Sequence, residues 1–525
     1  MFWPATAFSS RSAINRRSFL LTTGSLAAAS VWASRAEGFV RRHVGFGAYP
    51  FSLGVAAGDP APDGFVIWTR LAPKPLEGGG MPPEAVEVDW QVAEDEQMTK
   101  VVRSGKTVAT PDWGHSVHVE VAGLRPDRWY FYQFRAGGEI SPVGRSRTFP
   151  AADALADRLR FAFASCQHYE YGHFTAYEHM CDEELDFVVH LGDYIYEGKA
   201  SEKKVRKHNS PEIDSVEDYR NRHALYKSDA ALQAAHQQFP WLVAWDDHEF
   251  DNNYANDVSE QPDVAPEEFL LRRARAYQVY YEHMPLRRTS LPHGPEMPIY
   301  RRVPFGRRAE FFVLDTRQYR TDQPCGDGRK EPCEAVYDPQ ATLLGDRQEQ
   351  WLVGGLTDSA GRWNVLAQQV MMARVDRGPG DKTAYSMDQW PGYEVCRRRL
   401  LKSIHDCGVS NPLVLTGDIH SNWANDLIAD FDDLDSQVVA SEFVGTSITS
   451  GGDGTDAPKY LADMLGENPF VKFHNTQRGY VACELTPAVC RADYRVVEYV
   501  TRPGSPIATR ASFVIEDGKR GLQKA

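Results

Sequence analysis

Six short apolar runs lie between residues 159 and 416: Leu159–Ala164, Phe187–Leu191, Trp241–Trp245, Phe311–Leu314, Val365–Gln368 and Leu413–Thr416. None shows the apolar/polar alternation of a strand with one wet face. A strand reads this way when both of its faces are covered, because neither set of alternate side chains meets water. Helical patterns separate the runs, at His173–Leu185, Pro266–His283, Asp346–Leu356 and Tyr393–His405. Parallel strands need long crossover connections, so this alternation predicts a layered α/β domain.

The preceding stretch has another texture. From Phe51 to Phe149 short alternating segments, such as Val86–Gln91 and Ser116–Val121, and the aromatic run Trp129–Phe134 are punctuated by Gly and Pro. That pattern predicts an all-β sandwich of about 100 residues. Leu124 to Tyr132 resembles the corner of a fibronectin type III domain. At 525 residues the chain exceeds one ordinary core. The expected division is 1–36 as a leader, 37–149 as the β-sandwich and 150–525 as the α/β domain.

The leader is read from Asn15-Arg16-Arg17-Ser18-Phe19-Leu20, a twin-arginine pattern, followed by a mildly apolar Leu20–Ala33 and small residues near Ala36. Its apolar part is shorter than the ~20 residues a spanning helix needs. The expectation is export to the periplasm or beyond by the twin-arginine translocase, with no transmembrane anchor in the mature chain. Eight cysteines suit an oxidising destination, and Cys325 with Cys333 and Cys483 with Cys490 are plausible local disulfides. With 58 basic and 72 acidic residues the net charge is −14, which disfavours sequence-independent binding to nucleic acid or anionic membranes.

Four of the apolar runs end in the same kind of chemistry. One ends in Ser165-Cys166-Gln167-His168, another in Gly192-Asp193-Tyr194-Ile195-Tyr196, a third in Asp246-Asp247-His248-Glu249, the last in Gly417-Asp418-Ile419-His420. Ligands bind at the carboxyl ends of strands in open α/β sheets. Any one of these Asp or His residues alone is an ordinary turn former or cap. So many acids at one edge repel each other unless cations neutralise them, which predicts a metal centre. A thiolate, a phenolate, a carboxylate and an imidazole suit a transition metal, so Cys166, Asp193, Tyr196 and His420 are read as holding one ferric ion. Asp193 can bridge to an all-carboxylate site with Asp247 and Asp418, suited to one or two Ca²⁺ ions. Asp246, Asp251 and Asn252 are further candidates for metal or phosphate.

Gly192-Asp193-x-x-Tyr196, Asp247-His248-Glu249 and Gly417-Asp418-x-His420 resemble the signature blocks of the calcineurin-like metallophosphoesterases. Ser165-Cys166-Gln167, Trp245 to Asn253, Leu314 to Tyr319 and Asn475 to Tyr480 resemble the alkaline phosphatase D (PhoD-like) branch. The resemblance implies a four-layer α-β-β-α fold of two packed mixed sheets flanked by helices. It also implies hydrolysis of phosphate mono- and diesters at alkaline pH, in phosphate scavenging. His248 would hydrogen-bond a phosphoryl oxygen or protonate the departing alcohol, its alternative role being to orient Asp247. A phospholipase D-type or wall-polymer phosphodiesterase is the alternative substrate class, so the partners are small phosphate esters or phosphodiester polymers and lipids. A redox iron centre and a metal-stabilised binding module are the readings from other classes. Arg374 and Arg478 are weak candidate phosphate clamps, and Asn422 and Asn425 could touch phosphate or cap a turn. Asp315-Thr316-Arg317 is expected to brace a loop, and Tyr277, Tyr280 and Tyr281 to lie in a core.

Overall fold

The computed structural model describes residues 44–378, 380 and 382–525. The twin-arginine motif lies outside the described residues.

All six apolar runs are strands, and their side chains divide between two cores. Phe161 and Phe163 enter one buried cluster while Ala162 and Ala164 enter another. Leu413 and Leu415 likewise face one core and Val414 a third. Alternate side chains of a strand point to opposite faces, so both faces of these strands are apolar because both are covered. The first core lies between two sheets, where the Phe311 ring meets Phe161 at 5.1 Å and Phe187 at 5.2 Å between centroids.

One of these sheets has ten strands, with Leu159–Ala164, Phe187–His190 and Pro240–Val243 parallel at its centre. The other has seven, with Ala309–Val313, Trp363–Ala367, Pro412–Thr416 and Val438–Val444 parallel. Helices Thr175–Met180, Val216–Lys227, Ala230–Gln238 and Pro266–His283 supply Tyr177, Tyr219, Leu232 and Tyr277 to the core on the outer face of the ten-stranded sheet. Helices Gly345–Thr357 and Glu394–Asp406 supply Leu352, Leu356 and Leu400 to the core outside the seven-stranded sheet. The fold is thus mixed α/β, as expected. Tyr277, Tyr280 and Tyr281 are buried, also as expected.

The segment Val55–Arg147 is strands apart from one short turn of helix. Tyr130 closes the expected corner, its hydroxyl accepting from the Arg125 N–H at 3.0 Å. Strands Val101–Ala109, Val86–Ala93, Trp129–Ala136, Glu139–Ile140 and Gly144–Arg147 form a separate sheet. Strands Val55–Ala61, Gly64–Arg70 and Ser116–Val121 do not close on that sheet alone. They extend the ten-stranded sheet, Val55–Ala61 pairing in parallel with Pro240–Val243.

Two details differ from the sequence reading. Helix His173–Leu185 shrinks to Thr175–Met180, since Asp182-Glu183-Glu184 sets three negative charges at a helix carboxyl end. Cys325 and Cys333 are disulfide-bonded, but Cys483 and Cys490 are buried thiols. Cys483 stands opposite Ala492 and Cys490 opposite Leu485, so the ladder sets the two sulfurs on diagonal positions rather than facing ones.

Candidate metal centre

Strands Leu159–Ala164, Phe187–His190 and Pro240–Val243 of one sheet and Pro412–Thr416 of the other deliver their carboxyl ends to one place. A parallel bridge between Ser165 and Ser447 joins the two sheets there. Three of these strands, those before Cys166, Asp193 and Asp418, end where the backbone turns sharply. Cys166, Asp193, Asp418 and His420 have φ of 58°, 55°, 63° and 53°, left-handed values that non-glycine residues seldom adopt. Such strain persists only where the surroundings over-determine it, and it gathers at functional sites. Gly192 has φ 110°, and a Cβ there would sit 2.5 Å from the Asp246 nitrogen. At Gly417 a Cβ would come within 2.6 Å of Ser165 Oγ.

Three interlocking donor groups result: Cys166, Asp193 and His420; Asp193, Asp247 and His248; Asp246, Asp247 and Asp418. Within each group one donor atom per residue lies within 4.8 Å of the others. Asp193 belongs to two of them, and so does Asp247. The Tyr196 hydroxyl joins the first group, 2.7 Å from Asp193 Oδ2 and 3.2 Å from His420 Nε2. Six residues expected as ligands, together with His248 and Asp246, therefore converge. Asp251 and Asn252 do not join them. The Asp251 carboxylate is held by Ser259 Oγ at 2.7 Å and Arg272 at 3.5 Å. Asn252 contributes its backbone N–H to Glu197 at 3.2 Å.

A buried cation not read from the sequence sits among the acids. The guanidinium of Arg317 lies 2.5 Å from Asp246, 2.7 Å from Asp388, 3.5 Å from Asp247 and 3.6 Å from Asp418. Asp315 braces the loop as expected, accepting from the Arg317 and Gln318 N–H groups. The Arg317 side chain, however, belongs to the site. Arg320 shares Asp388 at 2.6 Å, yet the two guanidinium charges do not balance the cluster. Burial, aided by Asp388 and Asp247 and opposed by Arg317, lifts Asp418 to about 7. Burial also raises Asp246. Asp247 is lowered, because Arg317 and His248 outweigh its burial. Burial and the neighbouring Asp193 hold the Cys166 thiol and the Tyr196 phenol well above their ordinary values.

Asp193 Oδ1 and Asp246 Oδ2 are buried without a hydrogen-bond partner among the described residues. Orphaned carboxylate oxygens of this kind, beside a thiol, a phenol and an imidazole, fit metal ions.

Two glutamates support the site. Buried Glu249 accepts the N–H groups of Asp193 at 3.0 Å, Asp246 at 2.8 Å and Tyr194, tying two strand ends together. Burial and the nearby Asp193 raise its pKa to about 8. Glu197 holds His248 Nδ1 at 2.8 Å. Burial disfavours a charged His248, but Glu197, Asp247 and Asp193 outweigh it and raise the imidazole well above its usual value. Glu197 follows Tyr196 directly in the chain, yet a lone Glu after a strand carries no signal. Arg478 and Arg374 are committed elsewhere: Arg478 donates to the His420 and Gly452 carbonyls, and Arg374 pairs with Glu394 and Asp432. Asn422 and Asn425 are bonded within the sheet, to Asn475 and Glu442.

A donor-rich site at the carboxyl edge of two packed sheets, with an imidazole and a buried arginine beside it, fits a hydrolase suited to anionic substrates. The comparisons agree. The family model "PhoD-like phosphatase" matches residues 161–494, and "PhoD-like phosphatase, N-terminal domain" matches 38–150. The chain is 51% identical over 519 residues to alkaline phosphatase D of Bacillus subtilis (strain 168), covering 97% of this chain and 89% of that one. A solved structure titled "Structure of PhoD" aligns with a TM-score of 0.90 at 53% identity, covering 92% of this chain and 93% of that one. This chain belongs to the PhoD-like phosphatase family, hydrolases of phosphoric esters.

Proposed function

We propose that the enzyme is an exported phosphoesterase acting on phosphate mono- and diesters and serving phosphate scavenging, on a four-layer α-β-β-α frame with an N-terminal β-sandwich over 37–149. The observation carrying this reading is the set of three donor groups that share Asp193 and Asp247, with two buried carboxylate oxygens that have no hydrogen-bond partner among the described residues. Cys166, Asp193, Tyr196 and His420 would hold iron; Asp193, Asp247 and Asp418, with Asp246 beside them, would hold calcium. Bound there, the ions supply Lewis acidity toward phosphoryl oxygen and lower the pKa of water.

The chain's own groups do the rest. Glu197 fixes Nδ1 of His248, leaving Nε2–H to donate to a phosphoryl oxygen or to the departing alkoxide. Buried Arg317 keeps the acids together, its Nη2 lying 3.5 Å from Asp247 and 3.6 Å from Asp418 with no hydrogen-bond partner among the described residues. Three cores in layers, one between the sheets and one outside each, support the four-layer frame. Export is supported by the Arg16-Arg17 motif and the Cys325–Cys333 disulfide. Among the described residues no helix is long and apolar enough to cross a membrane.

The test is elemental analysis of the purified protein alongside turnover of nitrophenyl phosphate, bis-nitrophenyl phosphate and phosphatidylcholine. Iron and calcium in the protein, with Asp193→Ala losing both metal and activity on the first two substrates, is the expected result. Full activity in Asp193→Ala rejects the reading, and turnover of phosphatidylcholine alone replaces it with the phospholipase class. Export is tested by replacing Arg16 and Arg17 with Lys, which should leave the enzyme in the cytoplasm.

A further inference from the structure

The segment leaving the site after Glu197 is basic in an acidic protein. Residues 199–207 carry Lys199, Lys203, Lys204, Arg206 and Lys207 against Glu202 alone, in a chain of net charge −14. Both ends of this loop are fastened to the centre. It begins two residues after Glu197, which bonds His248, and two residues span at most about 7 Å. It ends at His208, whose ring stacks on His168 at 5.1 Å; the His168 ring in turn lies 4.1 Å from that of Tyr196.

The anchoring is built from buried groups. Glu170, 3% exposed, accepts the N–H groups of Ser201 at 2.8 Å and His208 at 2.9 Å. Arg222, fully buried, donates to the Gly198 carbonyl at 3.0 Å at one end and to Ser210 Oγ at 2.9 Å at the other. Two of the cations serve the loop itself, Arg206 pairing with Asp229 and Lys207 with Glu202. The other three do not. Lys199 and Lys203 are exposed and have no ion pair among the described residues, and Lys204 lies over the Tyr171 ring at 3.6 Å. Tyr171 in turn contacts His168 at 4.7 Å. A loop held by buried hydrogen bonds at both ends, and carrying three exposed lysines away from the donor cluster, concentrates anions along the path into the site.

We propose that Lys199, Lys203 and Lys204 form a subsite for a second phosphate group of the substrate, so that esters bearing a further phosphate next to the scissile one are preferred. This rests on the phosphoesterase reading above. Exposed lysines act as point charges, so the preference takes the form of electrostatic attraction that salt screens.

Two chromogenic substrates with the same leaving group separate the possibilities: thymidine 5′-(4-nitrophenyl phosphate) with a free 3′-hydroxyl and with a 3′-phosphate. The readout is the ratio of kcat/KM for the phosphorylated over the free compound, taken within each protein so that losses of folded enzyme cancel. The expected wild-type ratio is about tenfold at low ionic strength, three exposed ion pairs of modest strength, and it falls toward one in 0.5 M salt. In the variant combining Lys199→Gln, Lys203→Gln and Lys204→Gln the ratio is near one, and with Glu at the three positions it drops below one. A wild-type ratio near one, or a ratio unmoved by the substitutions, overturns the subsite while leaving the phosphoesterase intact. Wild-type enzyme that cleaves neither compound strikes the underlying function, and the subsite falls with it.

Discussion

At the scale of single residues, the site is a balance of charge. Asp246, Asp247, Asp388 and Asp418 surround the Arg317 guanidinium, with Arg320 pairing to Asp388 from outside, and Asp418 is raised to about 7, mainly by burial. A carboxyl raised in the folded state binds more protons there than when unfolded. Its stabilising effect is complete below its unfolded value near 4 and is lost as pH rises toward 7. The metal-free protein should therefore lose stability across that window. Added calcium should raise Tm more at pH 8 than at pH 5; thermal unfolding at both pH values after chelation checks this, and an equal shift at both argues against calcium among these acids. Among its neighbours Glu197 does most to raise His248, ahead of Asp247 and Asp193. Glu197→Gln should lower kcat/KM for bis-nitrophenyl phosphate by about ten- to a hundredfold, as loss of an orienting partner does, and shift the alkaline limb of the pH–rate profile to lower pH. An unmoved profile with normal kcat would assign Glu197 to the loop alone.

At the scale of elements, three of the four strand ends work because a residue two or three positions past the strand is forced into a left-handed turn. Gly192 makes this possible by letting the Asp193 loop pass against Asp246. Gly192→Ala should cost about 2–3 kcal/mol from the strained φ and the backbone contact, and should reduce metal content together with activity. Wild-type Tm and metal content would show that the loop can move aside. Helix Val216–Lys227 shows what sequence pattern misses. Its capping box, Ser215 with Asp218, is legible as a local motif. Its buried side includes Arg222, His223 and Lys227, so no apolar stripe marks it. The helix Pro266–His283, with Pro at its first turn and a stripe of tyrosines, matches the sequence expectation end to end.

At the scale of the whole molecule, the N-terminal strands are built into the catalytic sheet. Val55–Ala61 covers the edge of Pro240–Val243, the strand that ends in Asp246, Asp247 and His248. Trp68 Nε1 donates to the Glu282 carbonyl at 2.9 Å, and His118 stacks on Tyr281 at 4.5 Å. A chain starting at residue 150 leaves that central strand with an open apolar edge, a template for aggregation. It should fail to accumulate in soluble form, and residues 44–525 should unfold in a single calorimetric transition. A soluble, active 150–525 fragment would show that the sheet tolerates the loss.

The sequence by itself determined the doubly covered strands and the identity of Cys166, Asp193, Tyr196, Asp247, Asp418 and His420, because burial on both faces and donor chemistry are local properties of residue type and spacing. Only the tertiary structure decided what stands between those donors. Arg317 arrives from another strand end, Glu197 and Glu249 act by orientation, and Asp251 turns away to Ser259 and Arg272. Electrostatic partnership depends on distances of a few ångströms between parts of the chain far apart in sequence, and no local pattern carries that information.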